Sequence, residues 1–145
     1  MNQLFVFGTL KRGFPNYEVG MSGLRFVGRC RTFEAYPLVV AGKWFSPVLI
    51  FEAGFGSRVF GELFEVDDAA LERLDFFEHV HLPSGHHRVK IAVERVAGGG
   101  GGEGILDVWV YAKHRSQLDV IHSELTDEYH LGSRYVPPDD RGSDR

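Results

Sequence analysis

A single cysteine, Cys30, is the only thiol among these 145 residues. No intrachain disulfide can form, and a zinc site built on cysteines is excluded. Between Arg29 and Arg31, Cys30 reads either as a reactive thiol or as a small apolar residue in a strand, and the strand reading is preferred. Long apolar runs are missing too. The run after Met1-Asn2-Gln3 covers only Leu4 to Phe7, and none approaches the ~18 residues of a membrane span. Clusters of Lys and Arg are absent, and 16 basic against 20 acidic residues leave a net charge of −4. Nucleic acid and anionic membranes are therefore poor partners, and the expected location is cytoplasmic. At ~150 residues per domain the length allows one domain, long enough to bury roughly two-thirds of its unfolded surface without a staple.

Glycine is the residue in excess, with 18 of 145 against a usual ~7%. Six of them fall in residues 98–104. No P-loop Lys-Ser/Thr follows this run, which reads as a hairpin connection rather than a phosphate loop.

Short apolar runs punctuated by Gly and Pro predict a β-rich chain. Strands are expected over 3–7, 24–33, 37–41, 47–51, 58–66, 88–96 and 105–111. In 88–96, Val89, Ile91 and Val93 alternate with Arg88, Lys90 and Glu94, the period of a half-buried strand. The run 47–51 is apolar throughout and reads as buried on both faces. A helix is expected from Asp67-Asp68, carboxylates suited to its N-terminus, to Phe77 or Glu78. A second is expected over 116–125, where Leu118, Ile121 and Leu125 fall at helical spacing. Residues 1–137 read as one domain and 138–145 as a frayed polar tail.

Three places could carry chemistry. Glu78 falls on the apolar stripe of the first helix with Leu71 and Leu74, and at its C-terminus, where the macrodipole opposes negative charge. Such a setting suits a carboxylate that exchanges protons; alternatively the helix ends earlier and the side chain turns into solvent. In Phe7-Gly8-Thr9-Leu10-Lys11-Arg12-Gly13, a strand runs into a glycine turn able to present backbone N–H groups to an anion, with Lys11 and Arg12 adding charge. An ordinary hairpin can begin the same way. His79, His81, His86 and His87 crowd beside Glu78, but their spacing matches no regular metal motif, so solvated loop histidines are preferred and no metal is expected. A bound metal would make Glu78 a ligand instead of a base.

The motifs together resemble those of the gamma-glutamylcyclotransferase-like (AIG2-like) superfamily. Val6-Phe7-Gly8-Thr9-Leu10-Lys11-Arg12-Gly13 is similar to its Tyr-Gly-Thr-Leu-Lys-x-Gly opening, and Tyr36-Pro37-Leu38-Val39 to its Tyr-Pro-Leu-Val segment. Gly61-Glu62-Leu63-Phe64 resembles the Gly-Glu-Val-Tyr strand, Leu74-Asp75-Phe76-Phe77-Glu78 the Leu-Asp-x-Phe-Glu helix end, and Gly132-Ser133-Arg134-Tyr135-Val136-Pro137 the Gly-x-Arg-Tyr-x-Pro signature. The set spans residues 3–137 and is most similar to the gamma-glutamylamine cyclotransferase branch. It implies an α+β fold, a mixed β-barrel with flanking short helices. It also implies an enzyme that needs no cofactor and acts on a small gamma-glutamyl amine such as gamma-glutamyl-lysine, releasing 5-oxoproline and the free amine; nothing in the sequence demands an oligomer, and a monomer is expected. On this resemblance Glu78 is the proton acceptor, and Phe7, Gly8, Thr9 and Leu10 form the substrate loop that holds the glutamyl α-carboxylate. Phe7 and Phe64 stand where the family commonly has Tyr, and His86 stands in place of the Tyr of Tyr-x-Arg. These departures bear on leaving-amine specificity and rate. A catalytically silent member, binding a small acid or a protein partner, is the alternative.

Overall fold

The computed structural model describes residues 1–96, 104–131 and 134–141. Strands β1 (Asn2–Val6), β2 (Arg25–Thr32), β5 (Phe60–Val66), β6 (His87–Arg95) and β7 (Ile105–Ala112) close a barrel in the order β1-β5-β2-β6-β7. Four seams are antiparallel; β1 meets β7 in parallel at Leu4 and Trp109. The barrel is thus mixed, as the resemblance implies. A second sheet, in the order β4-β3-β8, is built from β3 (Leu38–Ala41), β4 (Ser46–Leu49) and β8 (Ile121–Leu125).

Alternation along the strands decides what each face touches. From β1, Phe5 enters the barrel interior with Cys30, Leu63, Ile91, Val93, Val108 and Val110. Leu4 and Val6 face outward, into a layer formed with Phe64, Val66 and Tyr111. The helix α2 (Asp68–Phe77) closes that layer with Ala70, Leu71 and Leu74. Asp67 caps it, its Oδ1 accepting from Ala70 N at 2.7 Å. Val39, Ala41, Val48 and Ile50 form a third cluster in the second sheet.

Most expected strands appear within a residue or two of their predicted bounds. The helix expected over 116–125 does not form. A 3₁₀ turn at Arg115–Gln117 leads instead into β8, which pairs with β3 from Leu38–Leu125 to Ala41–Ile121. The backbone groups along that edge of β3 find partners only when another strand lies there, and this long-range pairing outweighs a weak helical periodicity. A single helical turn, α1 (Tyr17–Gly20), is too short to show a period in sequence. Residues 138–141, expected to fray, contain a 3₁₀ turn at Pro138–Asp140, and Arg141 Nε donates to Val136 O at 2.9 Å. The glycine run lies outside the described residues except for Gly104. Among the described residues no helix is long and apolar enough to cross a membrane.

Candidate active site

The C-terminus of α2 determines where Glu78 points. His79 N donates to Phe76 O at 3.1 Å and Val80 N to Asp75 O at 3.0 Å, with His79 at φ 56°. This paired closure is a Schellman motif, in which a left-handed residue ends the helix and satisfies its last carbonyls. Glycine usually holds that position; here a histidine does. The turn leaves Glu78 as the last residue of the helical arc, its side chain only 14% exposed. Asp75, one turn back, takes Arg88 Nε at 2.7 Å and the Tyr111 hydroxyl at 2.8 Å, which ties the helix end to β6 and β7. Burial first, then the bond to Asp75, pushes the Tyr111 phenol well above its ordinary value, so it stays neutral.

Glu78 borders a cavity of roughly 830 Å³. Phe7, Gly8, Thr9 and Leu10 line the same cavity, so all five expected site residues meet there. The loop after β1 turns tightly, with Lys11 N donating to Gly8 O at 3.1 Å. The N–H groups of Gly8, Thr9 and Leu10 find no acceptor among the described residues. Asn16 Nδ2 donates to Thr9 Oγ1 and to the Tyr135 hydroxyl, both at 2.8 Å, which joins the loop to the C-terminal segment. Gly8 is required by packing as well, since a Cβ there would stand 2.8 Å from Pro47 Cγ in β4.

The expectation that Lys11 and Arg12 lend charge to this loop is not met. Lys11 is buried, donates to Tyr129 O at 2.8 Å and lies 3.9 Å from Glu128; desolvation lowers its pKa. Arg12 pairs with Glu62 and lies over the Phe26 ring. The cations on the cavity wall are Lys113, just past β7, and Arg141, which lies over Trp44. Burial pulls the Lys113 ammonium below its usual value, opposed by the charges of Glu78 and Asp119. The sequence reading missed Lys113, Asn16, Tyr135 and Arg141 as cavity residues. Only a lysine placed directly after an apolar strand hinted at one of them.

The other sequence candidates separate. Cys30 is fully buried in the barrel, and desolvation pushes its thiol up to about 11, the opposite of a reactive cysteine. The histidines disperse: His81 stacks on Phe76 and His87 meets His114, while His86 Nδ1 lies 2.9 Å from Glu78 Oε2. Among the described residues, no three His, Cys, Asp or Glu side chains come together as a metal site.

A family model described as "Gamma-glutamyl cyclotransferase, AIG2-like" matches residues 4–131. The chain belongs to this family. It is 38% identical to the gamma-glutamylaminecyclotransferase of Bos taurus, over 95% of this chain and 83% of that protein. It is 37% identical to gamma-glutamylaminecyclotransferase B of Danio rerio, over 89% and 68%. The crystal structure of an AIG2-like protein from Mus musculus superposes with a TM-score of 0.78 at 34% identity, covering 97% of this chain and 99% of that one. In this family member the barrel, the loop after β1 and the end of α2 form one continuous frame around the cavity.

Proposed function

We propose that this chain is a gamma-glutamylamine cyclotransferase, with Glu78 as general acid and base. One observation carries the reading: a shielded carboxylate shares a cavity with a loop whose backbone N–H groups are unspent. The names of the relatives support the same class. The glutamyl α-carboxylate is held by the N–H groups of the loop Phe7, Gly8, Thr9 and Leu10, as anions are in such concavities. The α-amine, largely protonated at neutral pH because such groups titrate near ~8, gives its proton to Glu78.

The freed amine attacks the γ-carbonyl carbon of its own substrate. A C–N bond forms as the carbonyl π-electrons move to oxygen. When that oxygen re-forms the double bond, the original amide C–N bond breaks. Glu78 returns its proton to the departing nitrogen, and the ring nitrogen sheds its second proton, which the departing amine carries off as an ammonium ion, leaving 5-oxoproline and the protonated free amine. Ring closure is intramolecular, so holding the two ends together supplies much of the rate; effective molarities of ~10⁵ M or more are known for oriented pairs. No enzyme nucleophile takes part in this route. The cavity has room beyond the glutamyl moiety, and Trp44 and Leu82 give that space apolar walls for the leaving amine.

The test is 5-oxoproline and lysine release from gamma-glutamyl-lysine. Glu78→Gln is expected to lower kcat by about 10²–10⁴-fold, the range of general acid–base catalysis. Full turnover by Glu78→Gln would overturn the mechanism. Ligand binding without any 5-oxoproline would instead establish a silent family member.

A further inference from the structure

His86 makes a direct side-chain contact with Glu78, Nδ1 to Oε2 at 2.9 Å. We propose that His86 is the positioning residue of Glu78, holding its carboxylate in place from one side. This rests on the functional reading above.

The segment joining the two residues is built to hold them together. His86 N donates to Glu78 O at 3.1 Å, so backbone and side chains meet at the same place. Within the loop, Leu82 N donates to His79 O and Gly85 N to Leu82 O. From outside, Gln117 Nε2 donates to the carbonyls of both Pro83 and Gly85 at 2.8 Å. Gly85 packs so closely on His79 that a Cβ would collide with the His79 carbonyl. The His86 ring is only 20% exposed.

For this role the imidazole is protonated at Nδ1, so that the 2.9 Å contact can become a hydrogen bond to Oε2. Other titratable and charged groups surround the pair. Tyr111 and Lys113 approach from the end of β7, Asp75 from α2 with its partner Arg88 from β6, His79 from the loop and Arg141 from the C-terminal segment. Among the described residues none of these donates a hydrogen bond to the Glu78 carboxylate.

Two measurements test this on the full chain. Long-range ¹H–¹⁵N spectra are expected to show His86 protonated at Nδ1, with ring shifts that change in Glu78→Ala. A neutral ring protonated only at Nε2 would overturn the assignment, whatever the activity. In steady-state kinetics with gamma-glutamyl-lysine, His86→Phe is expected to lower kcat about ten- to a hundredfold, as one lost charge-assisted bond implies, with little change in KM. His86→Asn, whose amide reproduces the Nδ1 donor, recovers most of that loss. A His86→Phe kcat equal to wild type, no recovery in His86→Asn, or a rise in KM with kcat untouched, would overturn the positioning role. Absence of 5-oxoproline release by wild type defeats the functional reading alone, while the tautomer still decides the pair.

Discussion

Cys30 shows how little flanking charge matters to a side chain that faces away from it. Arg29 and Arg31 alternate to the outer face of β2, where they pair with Glu128 and Glu94, while Cys30 enters the barrel. Burial pushes the thiol up to about 11 against the opposing pull of Arg95. At pH 7.5 the native protein is therefore expected to resist thiol-specific labelling and to react only once denatured. Fast labelling of the folded chain would contradict the barrel packing. Glu78 was legible in sequence by its motif and its place on the apolar stripe. Its contact with His86 was not, because the tight turn at His79 has no glycine to announce it.

At the scale of elements, α2 was the most readable piece, since Asp67, Asp68 and the apolar spacing each point to the same helix start and face. The loop of residues 78–86 is the opposite case, because it is held by groups distant in sequence. Gly85→Ala is expected to destabilise by about 2 kcal/mol or more, since its Cβ meets backbone rather than a flexible side chain. The same variant is expected to lose turnover in proportion to the displaced His86, a combination that thermal melts and kcat together detect. A neutral Gly85→Ala would mean that the loop is looser than its hydrogen bonds indicate. β8 escaped the sequence reading because its partner β3 lies some 80 positions earlier, and no local pattern encodes that pairing.

For the molecule as a whole, the segment after β8 binds the second sheet back onto the barrel and the substrate loop. Phe60 N donates to Asp127 O at 2.7 Å, Arg29 grips Glu128 through both terminal nitrogens, and Lys11 reaches Tyr129 O. Arg29 holds the Glu128 carboxyl below its ordinary 4.5, and Arg partners do the same for Glu94 and Glu52. These groups bind protons less readily folded than unfolded. Their stabilisation is complete above the ordinary carboxylate range and disappears as pH falls through the lowered folded values. Melting temperature is expected to drop between pH 5 and pH 3 (about one unit either side of the ordinary carboxylate range). Arg29→Met is expected to show a shallower drop, and an identical slope would remove Glu128 from the acid response.

What the sequence determined by itself was local: strand periods, the cap at Asp67, and the ordered motifs that placed Glu78 and Phe7 to Leu10 in one family pattern. Those signals lie within a few residues of one another, so backbone preference and side-chain alternation express them directly. Only the tertiary structure decided that Lys11 and Arg12 turn away from the cavity, that Lys113 and Arg141 stand on its wall, and that His86 faces Glu78. Each depends on which distant element a side chain meets once the barrel has closed, and a charge has no fixed destination until that packing supplies its partner.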